Sequence, residues 1–496
     1  MFKSPTKNHF SLIFERLAAI LAFFSVYLIN SLKDHGWEIF LPSFYIKLFS
    51  TAASGGLKSA FGFLAFFLFV LVSLFLSYRY WRKTVFYIEG DDFIYKRDTM
   101  FKVDSRLPIQ NIAMVNVESN IFERLVGTAK VKIDLNSSRT ANKTDFKFVL
   151  KRGDAALLKE SLLSIKSRHS AETAVSESDV SCAPLSNDER AEERTHLITF
   201  SAADALRHKL LSFPVIQFFL TITVVFILPM LKTGGNPNMN RLWFLLFLTL
   251  FGSVGSIVKG ALDLGDYTVE QDSKLLYISC GILNKRNYVF ERDKINAVVI
   301  NQPIFARLFG LCSVSIAVVG LGNEKNETTH LSLTIKKDKA DELLLKCAPD
   351  FVCKSERVRT HPFSIAFPVL RSFIYAAAVM LLSTGYRHIY VISAFVFILL
   401  FIGSFVEFFG RYYAADDDVV CYSKGMFNRS HGIVKYGDIQ DVKIKTNILL
   451  KKMRLGRMSF SILSASAMKK HRTGWFDISL FEQAAGKVVD TEEMRR

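Results

Sequence analysis

One apolar spacing, repeated three times, constrains this chain more than any other feature. Ile112, Val115, Val117 and Ile121 recur as Ile295, Val298, Ile300 and Ile304, then as Ile439, Val442, Ile444 and Ile448, with offsets of 0, 3, 5 and 9 each time. A turn motif follows each set: Arg124-Leu125-Val126-Gly127, Arg307-Leu308-Phe309-Gly310 and Arg454-Leu455-Gly456. Beyond each glycine stand Val131 and Ile133, Val314 and Ile316, and Phe460 and Ile462, with Lys132, Ser315 and Ser461 between them. Apolar residues at every second position make a strand with one buried face. Gly127, Gly310 and Gly456 stand between turn and strand and are predicted to take φ > 0.

Earlier in each copy an aromatic strand meets an acidic turn. Tyr87 precedes Glu89-Gly90-Asp91-Asp92, Tyr267 precedes Glu270-Gln271-Asp272, and Tyr413 precedes Asp416-Asp417-Asp418. Each copy closes on a helical pattern, at residues 155–165, 340–347 and 478–489. Several antiparallel strands with one terminal helix make a small sandwich or half-open barrel capped by that helix. Residues 166–195 are rich in Ser, Glu, Ala and Asp without apolar period and read as a flexible linker, with 349–360 a shorter equivalent.

Half of the residues are hydrophobic, including 45 Phe, which excludes a disordered chain. Six apolar stretches, at 10–32, 60–78, 210–231, 242–258, 369–384 and 389–409, have the length that crossing a bilayer demands, roughly 20 helical residues each. Lys and Arg precede the first stretch as in a signal peptide, but without a small-residue cleavage site it reads as a retained helix. The expected fold is therefore an α+β membrane protein. It has three repeats of a two-helix transmembrane hairpin followed by a small β-sandwich or half-barrel with a C-terminal helix, six transmembrane helices in all. The expected boundaries are hairpins at 1–85, 199–262 and 361–410, β-domains at 86–166, 263–348 and 411–492, and linkers at 167–198 and 349–360. Basic residues concentrate outside the hairpins (Arg79, Arg82, Lys83, Arg207, Lys209, Arg357, Arg359, Arg411), which predicts cytoplasmic termini and domains.

Two apolar helices followed by I-x-x-V-x-[VI], R-L-x-G and V-x-I resemble the bacterial pleckstrin-homology-like (PH-like) domain of membrane proteins, and the triple copy looks like the YdbT-like group. His361-Pro362 and Gln302 also match that pattern. Ser119 and Thr446 stand near the place of Gln302, only the first copy keeps a proline (Pro108) before its Ile, and the third copy has a two-residue insertion between Ile448 and Gly456. The resemblance implies a PH-like sandwich and no particular reaction.

No phosphate loop, zinc-protease motif or nucleophile elbow is present. Gly252-Ser253-Val254-Gly255-Ser256 fits close helix packing, and Asp416-Asp417-Asp418 fits a solvated hairpin turn. The six Cys lack redox or zinc spacing, and the ten His are dispersed. Lys259, Asp263, Arg371 and Glu407 lie near the ends of apolar stretches, which argues against an ion pathway. No catalytic residue, cofactor or metal is expected.

A net charge of +17 suits an anionic surface. Arg79, Trp81, Arg82 and Lys83 leave the second apolar stretch as interfacial anchors. Lys96, Arg97 and Lys102, Lys285 and Arg286, and Lys424 and Arg429 are the candidate headgroup or partner contacts, in the loop after the second strand of each copy. Arg124, Arg307 and Arg454, beside their turn glycines, read as structural. The expected partners are anionic lipids, bound nonspecifically, and another membrane or cytoplasmic protein or a second copy of the chain; nucleic acid is not expected. The sequence reads as a non-enzymatic, multi-pass bacterial inner-membrane protein that presents three PH-like domains as an assembly or adaptor platform. A sensor of anionic headgroups is the alternative, and an accessory transporter subunit a third.

Overall fold

The computed structural model describes residues 2, 4–17, 43, 57–99, 101–135, 146–175, 195–213, 239–272, 275–318, 329–382, 389–462 and 470–494. Two compact units result: Met1–Ile112, Val117–Lys132 and Lys147–Cys182 form one, and Ala113–Asn116, Ile133–Phe146 and Ala183–Arg496 the other.

The three copies share one element order, with one additional short strand in the third. The first runs β1 (Thr6–Lys7), α1 (Leu12–Arg16), α2 (Leu57–Lys83), β2 (Thr84–Glu89), β3 (Asp92–Asp98), β4 (Lys102–Pro108), β5 (Ile112–Ser119), α3 (Ile121–Val126), β6 (Thr128–Leu135), β7 (Phe146–Lys151) and α4 (Arg152–Val175). The second runs β8 (Thr195–Phe200), α5 (Ala202–Leu211), α6 (Met239–Leu264), β9 (Tyr267–Gln271), β10 (Leu275–Cys280), β11 (Lys285–Glu291), β12 (Ile295–Gln302), α7 (Ile304–Leu308), β13 (Leu311–Val318), β14 (Thr329–Lys336) and α8 (Lys337–Cys347). The third runs β15 (Val358–Arg359), α9 (Ala366–Leu382), α10 (Ile389–Gly410), β16 (Tyr412–Ala415), β17 (Val419–Lys424), β18 (Arg429–Lys435), β19 (Ile439–Lys445), α11 (Ile448–Lys452), β20 (Leu455–Ile462), β21 (Lys470–Arg472), β22 (Phe476–Asp477) and α12 (Ile478–Met494).

In the first unit β1 to β4 form an antiparallel sheet in chain order. Its core is aromatic: the ring centres of Phe86 and Phe148 lie 4.4 Å apart, and Phe93 packs on both. Asn120 and Glu123 form a capping box at the start of α3, at 2.8 and 2.9 Å.

The second unit is not a row of separate sandwiches. Its seven-stranded sheet has the order β14-β13-β12-β18-β17-β16-β15, so the back strands of the second copy continue into the front strands of the third. β12 and β18 pair antiparallel from Ala297↔Val434 to Gln302↔Arg429. Alternate residues then serve two cores. Val298, Cys421 and Ile433 enter one, while Ala297, Tyr422 and Val434 enter the other with Phe460, Phe476 and Phe481. β17 is buried on both faces from Val419 to Ser423, which is why it reads as an unbroken apolar run rather than an alternation.

The turn glycines divide. Gly127 and Gly310 are left-handed, at φ +75° and +65°, but the third copy uses Arg454 at φ +53°. The carbonyls of Gly127, Gly310 and Arg454 accept equivalent bonds from Arg152 N, Lys337 N and Ile478 N, at 3.1, 3.3 and 2.9 Å. The expectation of φ > 0 at Gly456 is corrected: it lies inside β20, where a Cβ would stand 2.8 Å from Ile478 Cγ1. A two-residue offset preserves a strand face, so Met458, Phe460 and Ile462 are all buried.

The larger correction concerns the apolar stretches. Among the described residues no helix is long and apolar enough to cross a membrane, so six transmembrane helices and the hairpin fold class built on them are not borne out. The windows at 60–78, 242–258, 369–384 and 389–409 fall largely on α2, α6, α9 and α10; most of those at 10–32 and 210–231 lies outside the described residues. Helix ends are built into the β-domains. α9 has 17 residues, about 26 Å at about 1.5 Å each and short of about 30 Å. On α6, Leu262 O accepts from Ile282 N at 2.9 Å and Asp263 from Asn284 at 3.2 Å. On α10, buried Glu407 pairs with Arg371 at 2.6 Å and with Arg411. A hydropathy window registers apolar content and not where a helix end is tied into a β-domain.

Candidate functional site

The predicted contact residues fall in several places rather than one. Lys102, Lys285 and Arg429 each open the fourth strand of their copy's front sheet, so a basic side chain recurs at one structural position. Lys96 lies on β3 with its ammonium 3.8 Å from Asp104, and Lys102 is 3.5 Å from Asp98. Both are exposed pairs of small energetic weight. Arg97 stacks over the Tyr80 ring at 5.6 Å. Lys285 is exposed, and half-buried Arg286 stands opposite Cys280. Lys424 ends β17 with its ammonium 5.6 Å from the Tyr422 ring centre, and burial together with Arg472 and Arg457 holds its pKa below the usual lysine value.

The early loops are turned toward helix ends. Gly281 N bonds Gly265 O at 2.7 Å, and Gly281 and Gly425 adopt φ +100° and +110° to make the reversal. A Cβ at Gly403 would run into Met426, and one at Gly410 into the Arg429 guanidinium, so the 425–429 segment lies directly on α10. These loops dock helices.

Of the predicted anchors, Arg79, Arg82 and Lys83 are exposed at the end of α2. Trp81 instead donates from Nε1 to Asn8 O at 2.8 Å and meets Phe10 edge-on, which ties α2 to the N-terminal segment.

A feature the sequence did not single out lies in the second unit. An open groove of about 450 Å³ is walled by Phe401, Ile402, Phe405 and Phe409 of α10, with Arg307 of α7 and Arg429 of β18 at its polar end. Arg307 Nη1 and Arg429 Nε are buried without a hydrogen-bond partner. Burial and the neighbouring Arg307 charge lower the Arg429 pKa. Nearby His431 lies against the Tyr412 ring; burial first, then Arg429, Arg357 and Lys337, pushes it down to about 4, so it is neutral. Arg307, read from sequence as a structural turn residue, meets Arg429 only because β12 and β18 pair. No local pattern carries that signal.

Copies built from a four-strand front sheet, a three-strand back sheet and a closing helix define a PH-like class of domain. The sequence pattern of the bacterial PH domain matches residues 39–166, 218–349 and 365–488, and the chain belongs to that family. It is 23% identical over 231 residues to the UPF0699 transmembrane protein YdbT of Bacillus subtilis (strain 168). That match covers 46% of this chain and 47% of the relative, so the chain spans about half the length of the curated relative it matches.

Proposed function

We propose that the protein is a non-enzymatic, membrane-associated platform at the cytoplasmic face of a bacterial inner membrane, on which PH-like domains assemble other proteins. The observation that carries this reading is the sheet shared by the second and third copies, which fixes two domains as one body. Exposed apolar side chains on helices of the second unit, among them Phe247 and Phe251 of α6 and Phe373 and Ile374 of α9, support membrane association. So does the relative's description as a transmembrane protein.

Crosslinking in native membranes, followed by identification of co-purifying proteins, tests the platform. The expected result is a reproducible protein partner retained after detergent extraction. Recovery of the chain in the soluble fraction, or in membranes without any crosslinked protein, removes the reading. Binding of anionic lipid is a second reading, favoured by the two arginines at the end of an apolar groove.

A further inference from the structure

We propose that the groove along α10 binds one anionic glycerophospholipid, with its phosphate on Arg307 and Arg429 and an acyl chain along Phe401, Ile402, Phe405 and Phe409. This names the ligand class behind the second reading and rests on it. It does not depend on recruitment of protein partners.

The charges call for an anion. Two guanidiniums share one wall of the groove, and among the described residues neither forms an ion pair with a carboxylate. Each buries a nitrogen that donates to nothing. Holding like charges together in a desolvated place is costly, and removing one partner's counter-charge from such a site is costlier still. A phosphate satisfies both, because its oxygens accept the paired N–H groups of a guanidinium fork. His431 is neutral and adds no further positive charge.

The wall calls for a chain. Ile402 is 58% and Phe409 73% exposed, so inorganic phosphate would satisfy the arginines and leave this surface in water. An acyl chain covers it and removes that apolar area from water. A groove of about 450 Å³ is within the usual range for small-ligand sites. Its open side lets the remainder of the lipid run out along α10. The site differs in kind from the exposed basic residues, where charge alone attracts any anionic surface.

The test uses the full chain, purified from bacterial membranes in a neutral detergent, and fluorescent phosphatidylglycerol in mixed micelles. Saturable binding of one lipid per chain is expected, displaced by unlabelled phosphatidylglycerol but not by phosphatidylcholine or by inorganic phosphate. In the double variant R307Q/R429Q affinity should fall at least about tenfold, since the charge-assisted hydrogen bonds to the phosphate are lost. Equal displacement by phosphatidylcholine overturns the proposal. Displacement by inorganic phosphate at the same concentration also overturns it, and indicates a free-anion site. Undiminished binding by the double variant does so too.

Folding is followed separately. Without lipid, R307Q should melt at or above the wild-type temperature because a repulsion is relieved, and added phosphatidylglycerol should raise only the wild-type value. A lower melting temperature for R307Q, with lipid still stabilising it, assigns the arginines a purely structural role and sinks the proposal. Absence of crosslinked protein partners would remove the platform and leave every one of these results standing.

Discussion

β12 and β19 hold the same position in successive copies, yet one is joined and the other is an edge. β12, Ile295–Gln302, is buried from Ile295 through Val299 and pairs with β13 on one side and β18 on the other. β19, Ile439–Lys445, pairs with β20 and, among the described residues, has no strand on its outer side. Where β12 carries Ala297, Val299 and Asn301, β19 carries Asp441, Lys443 and Lys445. Charge at alternate positions blunts an edge that would otherwise template further pairing. β4, the outer strand of the first sheet, carries Lys102, Asp104 and Arg106 in the same manner. Repeat arrays need polar ends for solubility, and these two strands have that character.

Giving the joint a charge from the edge should have the largest effect. Ala297 is fully buried opposite Val434 and Ala317. Ala297→Asp strands an unpaired carboxylate there and should cost about 3–5 kcal/mol. Urea unfolding followed by limited proteolysis between residues 348 and 366 checks it. A midpoint within error of wild type would show that β12 and β18 do not share a core.

Acid should separate the two regions next. A polar strip crosses the joint: His330 Nδ1 meets Ser315 Oγ at 3.1 Å, Asn301 Nδ2 donates to Ser315 Oγ at 3.1 Å, and Ser430 Oγ donates to Asn301 Oδ1 at 2.9 Å. His208 packs edge-on against His330 and bonds Thr334 Oγ1 at 2.8 Å. Burial first, then Lys209, pushes His208 down to about 4; burial, His208 and Lys209 hold His330 low. Arg207 donates to Thr334 O from the same helix, so the field there is positive, opposed by Asp263 beside Lys209. A folded pKa below the unfolded value of about 6.5 means stability fully present above that pH and lost as pH falls toward 4. The expected loss attributable to His208 is about 3 kcal/mol. His208→Gln should flatten the decline in denaturant midpoint from pH 6.5 to 4; an unchanged slope would place the acid sensitivity elsewhere.

The left-handed turn residues offer a smaller contrast. Gly310→Ala adds a Cβ that meets nothing within 4 Å, so only backbone strain remains, about 1 kcal/mol of destabilisation. Arg454→Gly should stabilise the third copy by a similar amount. Opposite signs in thermal unfolding are expected, and equal signs would undo the equivalence of the two turns.

The smallest stability change belongs to the edge. Replacing Asp441 by Ala and Lys443 by Val should shift stability by no more than about 0.5 kcal/mol, as for other exposed positions. Association should nevertheless appear in sedimentation as concentration rises. A variant that stays as dispersed as wild type would mean that something other than charge guards β19.

Legibility followed the range of the interactions. Val131, Ile133, Val314 and Ile316 announce their buried faces because strand alternation is set by neighbouring residues. The two-sided burial of Val419–Ser423 has no such local signature, since nothing nearby says which cores receive the two faces. Six membrane crossings were expected because a hydropathy window registers apolar content alone, and not how long a helix runs or where its end is tied into a β-domain. Gly456 was misjudged because a two-residue insertion moves a turn while leaving strand parity intact.

By itself the sequence determined the three copies, their strand faces, their closing helices and their family, since each depends on spacing within a few tens of residues. The tertiary structure alone decided that β12 meets β18, and so that Arg307 meets Arg429 at the end of α10. Backbone hydrogen bonding at a strand edge is indifferent to side-chain identity, so the choice of partner is made by two cores filling together. No residue at either edge specifies it alone.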